Sequence, residues 1–329
     1  MLHIHNGDST ADIAKLTTLP GEHFAFREAL IEGPAPASLD NTEWRRVRAR
    51  HLSESYGLER EQCERELAEQ ENTLATFAEH EEIVLWFEHD LFCQLNLIYL
   101  LDRFGQQSLG KTKLSLICIG EFSGKENFRG LGELDASELA SLFPGRRPVT
   151  QQQLELAASA WQAFRSNDPT GIQNLLQTDT SALPFLAVAL KGHLRRFPST
   201  RNGLGSIEQK SLELVGSGLK NFIDLFRRFG DAEPVYGLGD AQLWLALRRM
   251  SEAAQPLLTI KGGPNGGSDL SPDFSKGRFE ITEVGESVLK GDANFVALNG
   301  VDLWLGGVRL SGDTNLWRWD QQSERIVFN

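Results

Sequence analysis

The sequence predicts an α/β protein: an N-terminal Rossmann-like parallel sheet, a helical connector region, a winged-helix-like module and a small β appendage. Three observations carry this. Four short apolar runs alternate with helical patterns over the first 120 residues, and strands joined through helices lie parallel with right-handed crossovers. From Pro148 the texture becomes all-helical. Beyond Leu204, three helical patterns are followed by two short β segments and a closing helix, an order found in winged helices. The divisions fall at residues 1–147, 148–203, 204–291 and 292–329.

The four apolar runs are Leu2–His5, His23–Arg27, Ile83–Phe87 and Leu114–Ile119. The last two are continuous rather than alternating, as strands buried on both faces are. Helical patterns separate them at Ser9–Thr17, over a charged segment from Thr42 to Glu79, and at Leu91–Phe104. The stretch around Glu59–Glu71 is so polar that it must be solvated or cover an edge. In the connector, Thr150 caps a helix through Trp161 and Phe164. Asp168 caps the next, with Pro169 at its first position, and a third runs from about Leu183 to Arg196.

In the module, helices begin at Ser206, after Asn221 and after Asp240 as a cap. Leu257–Ile260 and Phe279–Thr282 flank a glycine-rich turn from Gly262 to Gly267 as a hairpin, and Thr282–Leu289 closes it. The appendage holds four short strands, Val301–Leu305, Val308–Leu310, Leu316–Trp319 and Ile326–Phe328, with glycine turns between them.

Composition narrows the function. A 40% hydrophobic and 24% charged chain buries an ordinary globular core. No apolar run reaches the ~20 residues of a membrane span, since Leu91–Leu101 is interrupted by Gln94 and Asn96. The start, Met-Leu-His-Ile-His, has neither the basic nor the apolar stretch of a signal peptide, so a cytoplasmic protein without a membrane partner is expected. Cys63, Cys93 and Cys118 lack zinc-cluster spacing. The charge is uneven: residues 1–147 carry 15 basic and 25 acidic groups, residues 148–329 carry 18 and 20. An acidic first half repels nucleic-acid phosphates.

Ligands of open parallel sheets sit beyond the carboxyl ends of the strands. Reading off those ends yields Asn6, Gly7 and Asp8; Arg27 and Glu28; Glu88, His89 and Asp90, with Gln94 one turn later; and Glu121. Asn6-Gly7 also suits a tight turn, Asp90 also suits a helix cap, and Arg27-Glu28 also suits an ion pair. The candidate ligand contacts are therefore Asn6, Gly7, Asp8, Arg27, Glu28, Gln94 and Glu121, with Glu88, His89 and Asp90 as catalytic candidates. Carboxylates so crowded need a divalent metal or a cationic ligand, or else some remain protonated and act as acids. Asp8, Glu88 and His89 are the expected metal ligands. Gly-x-Gly-x-x-Gly and Gly-x-Ser-x-Gly patterns are absent around these ends, which gives no support to a dinucleotide fingerprint or a serine triad.

On the nominal recognition helix, Gln242, Arg248 and Arg249, with Lys261 on the wing, are the candidate DNA contacts. Trp244 and Leu245 do not suit a polar groove, and residues 204–291 hold 10 basic against 12 acidic groups, so a protein-contact role stands beside the DNA role.

Several motifs carry a family likeness: His5-Asn6-Gly7-Asp8-Ser9, Trp86-Phe87-Glu88-His89-Asp90, and Phe128-Arg129-Gly130-Leu131-Gly132-Glu133-Leu134. Asp179-Thr180-Ser181-Ala182-Leu183-Pro184-Phe185-Leu186 and Phe197-Pro198-Ser199-Thr200-Arg201-Asn202-Gly203-Leu204 belong with them. Over nearly its whole length the chain resembles the bacterial family catalogued as domain of unknown function 1835. The resemblance implies a bacterial, cytoplasmic protein and implies no reaction. The residues leave two expectations. One is a sensor or regulator of a small nucleotide- or phosphate-like ligand, with the winged helix as output to DNA or protein. The other is a metal-assisted hydrolase or transferase on a small phosphorylated or nucleotide-like substrate.

Overall fold

The computed structural model describes residues 1–262 and 274–329. It is a mixed α/β structure with 13 α-helices among the described residues and a five-stranded, mostly parallel sheet. In chain order the first part holds β1 (Leu2–Asn6), α1 (Asp8–Lys15), β2 (Glu22–Phe26) and β3 (Gly33–Pro34). It continues through α2 (Asn41–Tyr56), α3 (Arg60–Ala75), β4 (Glu82–Glu88), α4 (Leu91–Gly105) and β5 (Lys113–Ile119). The four predicted runs are the four parallel strands, each within a residue of its expected ends.

The charged segment forms two helices. Gly57, at φ 69°, ends α2 in the left-handed conformation that glycine adopts without a Cβ penalty, and the Glu59 carboxylate caps α3. The two helices pack on each other, and a small cluster of Ala49, Cys63 and Leu67 is what they bury between them.

Strand order is β2-β1-β4-β5-β6, where β6 (Arg147–Pro148) is a short antiparallel edge strand whose proline suits that place. Alternate residues of β4 serve opposite faces. Ile83, Leu85 and Phe87 join the large core with α4, while Val84 and Trp86 join a second core with Ala14 of α1 and Leu139 of α5 (Ala136–Ser141). The chain therefore moves from β1 through α1 to one side, and from β4 through α4 to the other. The crevice between β1 and β4 is the topological switch point, where open α/β sheets place ligands.

Behind α4 lie α6 (Gln151–Arg165), α7 (Thr170–Leu175) and α8 (Leu186–Leu194). Thr150 caps α6 in a reciprocal pair with Gln153. Asp168 accepts from the Thr170 N–H at 2.9 Å as read, but α7 starts one residue later than expected, at Thr170.

Next come α9 (Ser206–Gly216), α10 (Phe222–Ala232) and α11 (Asp240–Ser251), then β7 (Leu258–Lys261), β8 (Arg278–Ile281) and α12 (Glu283–Lys290). Asp240 occupies the first turn of α11 and Gly239 its cap, not the reverse. The expected pairing is present: Leu258 lies opposite Ile281 and Ile260 opposite Phe279. The glycine-rich turn, Gly262 apart, lies outside the described residues.

The chain ends with α13 (Phe295–Asn299) and two antiparallel hairpins, β9 (Val301–Gly306) with β10 (Val308–Gly312) and β11 (Trp317–Asp320) with β12 (Arg325–Phe328). β9 also pairs, in parallel, with β3, which binds the tail to the N-terminal region. Trp319 is buried in the main core and so packs the tail onto the body. Among the described residues no helix is long and apolar enough to cross a membrane.

Candidate functional site

At the carboxyl ends of β1 and β4 the switch point opens into a cavity of about 320 Å³. Its floor is Asn6 from the end of β1, Ser9 and Thr10 from α1, Glu88 from β4, and Asp90 and Cys93 from the start of α4. Arg129 and Gly132, in the loop after β5, form one side. The roof comes from the distant module: Phe226, Phe229 and Gly230 of α10, and the Glu233–Leu238 turn leading to α11. Gly237 closes most tightly. Its φ is 59°, and a Cβ there would lie 2.1 Å from Asp90 Oδ1, so only glycine lets the turn sit on that carboxylate.

The floor is held by a connected set of hydrogen bonds. Asp90 caps α4 by accepting from the Cys93 N–H at 2.9 Å. Glu88 Oε1 accepts from the Leu131 N–H at 2.6 Å, and its other oxygen meets the Cys93 thiol. Asn6 donates to Cys93 Sγ at 2.8 Å while accepting from Asn96 at 2.7 Å, and Asn96 also donates to the Glu28 carbonyl at 2.8 Å. Gln94 donates to the Glu88 carbonyl at 2.7 Å and so holds the end of β4 against α4.

Electrostatically this floor is acidic: among the described residues neither Glu88 nor Asp90 forms an ion pair, and the charge of His89 acts on Asp90 in the favourable sense. Glu88 and Asp90 are buried, and the one arginine on the wall, Arg129, is engaged with Asp231 of α10. Burial, and then the charge of Asp90, pushes the Glu88 carboxyl up to about 7. Burial also raises Asp90, and burial followed by the two carboxylates raises the Cys93 thiol well above its usual value. A carboxyl that exchanges its proton near neutral pH can act as an acid or a base toward a ligand in the cavity.

Of the residues expected from the sequence, Asn6, Glu88 and Asp90 face the cavity. Gly7, at φ 93°, is the cap residue of α1 and leaves the first N–H groups of that helix without a side-chain acceptor. Asp8 and Arg27 pair with each other at 2.6 Å, both about half exposed, outside the cavity wall. Glu28 is buried against Arg48 at 2.7 Å. Gln94 is a buried brace. His89 packs edge-on to Phe185, 6.1 Å between centroids, does not line the cavity, and has its Nδ1 buried without a hydrogen-bond partner among the described residues. Glu121 is exposed beyond β5. The expected metal set of Asp8, Glu88 and His89 is not brought together. Among the described residues, the group within mutual reach of one ion is Glu88, Asp90 and Cys93, with ligand atoms inside 4.8 Å of one another. Asp8 is paired with Arg27, and His89 packs against Phe185.

The DNA candidates are all engaged within the chain. Gln242 donates to Tyr56 of α2 at 3.1 Å, and Arg249 pairs with Glu208 at 3.3 Å. Arg248 pairs with Glu252 at 3.1 Å, and Lys261 with Glu280 at 3.0 Å. Leu243 to Leu247 and Met250 of α11 are buried, which explains Trp244 and Leu245 as core residues.

Cys93, Arg129 and the Leu131 backbone were not selected from the sequence as site groups. Cys93 stands three residues after Asp90, on the same first turn of α4, so helical spacing alone could have found it. The Phe128–Leu134 motif carries the second signal, since it supplies both a wall and the donor to Glu88. No family model matches the chain, and no curated protein matches it.

Proposed function

We propose that the protein is a small-ligand sensor or regulator whose ligand, a nucleotide- or phosphate-like molecule, occupies the cavity between the sheet and the helical module. One observation carries this reading: the same cavity takes its floor from β1, β4 and α4 and its roof from α10 and the turn after it. A ligand bridging the two walls favours the arrangement that buries it, and so biases the module's position. The uncapped start of α1, with Ser9 and Thr10 on the wall, favours the anionic end of such a ligand. Glu88 and Asp90 favour its hydrogen-bond donors.

The order of three helices, a hairpin and a helix over residues 204–291 supports a winged-helix-like module. Its nominal reading helix is buried and its polar side chains are engaged, so the output in this proposal is a protein contact rather than a DNA groove. A bacterial, cytoplasmic setting is part of this proposal, and its support is the family resemblance. A second reading, a metal-assisted hydrolase or transferase on the same class of molecule, is favoured by the Glu88–Asp90–Cys93 cluster.

Mass spectrometry of small molecules released from the purified protein tests the first reading. The wild-type chain is expected to release a phosphorylated or nucleotide-like compound that Glu88→Gln does not retain. If the wild type releases nothing and no nucleotide or phosphorylated metabolite raises its melting temperature, the proposal fails.

A further inference from the structure

We propose that Glu88, Asp90 and Cys93 form a three-ligand site for a zinc-class divalent cation, with its open coordination position facing the cavity. The inference deepens the ligand-pocket reading and rests on it only for what would occupy the open position.

The geometry is that of a site with its outer bonds already made. Glu88 Oε1 is held by the Leu131 N–H at 2.6 Å, and Asp90 Oδ1 by the Cys93 N–H at 2.9 Å. Each carboxylate thus has one oxygen fixed by backbone, which leaves Glu88 Oε2, Asp90 Oδ2 and Cys93 Sγ as the groups to share an ion. Asp90 is 4% exposed, and the Cys93 N–H holds its Oδ1. It is a buried carboxylate on the wall of an open space, within reach of an ion shared with Glu88 and Cys93. The sulfur accepts the Asn6 side-chain N–H at 2.8 Å, and Asn6 is itself oriented by Asn96 at 2.7 Å. Such outer hydrogen bonds orient ligands and tune thiolates at metal centres.

The donor set identifies the ion. One thiolate with two carboxylate oxygens suits a borderline cation such as Zn²⁺ better than Mg²⁺ or Ca²⁺, which take oxygen ligands alone. Three protein ligands with a fourth position open are the pattern of reactive rather than purely structural zinc. The cation would also supply the positive charge that two neighbouring buried carboxylates require and that, among the described residues, no ion pair with arginine or lysine provides, Arg129 being committed to Asp231. Binding is a simple ligation: the three groups donate lone pairs, and any proton on Cys93 or a carboxyl leaves to solvent.

Titrating the metal-free full-length protein with Co²⁺ tests this, because a cysteine thiolate bound to Co²⁺ adds a charge-transfer absorption in the near ultraviolet. The wild type is expected to develop that band at an equimolar end point, and Zn²⁺ is expected to remove it. Cys93→Ser should lose the band, and Cys63→Ser and Cys118→Ser should keep it. Asn6→Ala, which leaves all three ligands in place, should bind Co²⁺ about 10-fold or more weakly. A folded wild type without the band overturns the proposal, as does a band that survives Cys93→Ser. Because the readout is the metal itself, a chain that retains an organic ligand yet gives no band fails only here. A chain that gives the band yet retains no ligand fails only as a sensor.

Discussion

Two buried glutamates leave the same edge of the sheet and meet opposite fates. Glu28, just past β2, lies 4% exposed against a fully buried Arg48, which also donates to the carbonyls of Ala29, Glu32 and Pro34. The Ala29 N–H completes the set on the Glu28 carboxylate. Every charge and donor there is answered, and the pair closes the loop after β2 onto α2. Glu88, at the end of β4, is nearly as deeply buried, yet it faces a second carboxylate, a thiol and an open cavity and, among the described residues, forms no ion pair. Burial alone therefore does not mark a working residue. Burial without a countercharge, beside a space, does.

The largest effect that would break this contrast comes from Arg48. Replacing it with Ala should cost about 3–5 kcal/mol, because it strands the Glu28 charge in the interior. Denaturant unfolding measures it, and a loss under ~1 kcal/mol would mean that the Glu28 site is as open as the Glu88 one.

Glu88 should behave in the opposite sense. Its carboxyl is raised to about 7 by burial and then by Asp90. A raised acid contributes stability that is complete below its unfolded value and is lost as pH rises through the folded one. Metal-free wild type should therefore lose up to about 3 kcal/mol between pH 4.5 and 8. Glu88→Gln should lack that slope, and parallel melting curves for the two proteins across this range would contradict the assignment.

A third buried group sharpens the comparison from the basic side. His3 and His5 of β1 stack with His23 and Trp86, and burial lowers them to about 4 and about 2 respectively. The His51 ring, also buried, is lowered to about 3. A depressed base contributes stability present above its unfolded value, near 6.5, and lost as pH falls toward the folded one. Acidification from pH 6.5 to 4.5 should cost roughly 2–3 kcal/mol for each of His5 and His51. His5→Phe should flatten its share, as read from urea midpoints at the two pH values. Unlike Glu88, these rings do not line the cavity at the β1 and β4 exits, and their replacement should leave ligand and cobalt binding unchanged.

The smallest effect belongs to the Asp8–Arg27 pair. Both partners are about half exposed, and such pairs contribute about 0–1 kcal/mol. Arg27→Ala should shift stability within that range and leave Co²⁺ binding unaltered. A loss of metal affinity would return Asp8 to the site.

Much of this was legible in the residues. Continuous apolar runs at Ile83–Phe87 and Leu114–Ile119 can be buried only between two helical layers, and strands joined by helices must share their carboxyl edge. Asn6, Glu88 and Asp90 follow from that reasoning alone, because they stand directly at the exits of the two strands that flank the switch point. The cap at Thr150 was legible for a related reason, since a cap is a contact over two or three residues, whereas those expected at Asp168 and Asp240 lie one residue away, at Pro169 and Gly239.

Which ionisable groups would meet was decided elsewhere. Arg48 stands 20 residues from Glu28, the donor at Leu131 stands 43 from Glu88, and the Gly237 turn reaches Asp90 from a different module. Periodicity reports the backbone and its apolar face, which are local and repeat along the chain. The partner of a buried charge is a single contact set by how whole elements pack, and it leaves no period to read. The sequence alone thus determined where a site could open, and the tertiary structure decided that Glu28 is neutralised there while Glu88, Asp90 and Cys93 are left facing the cavity.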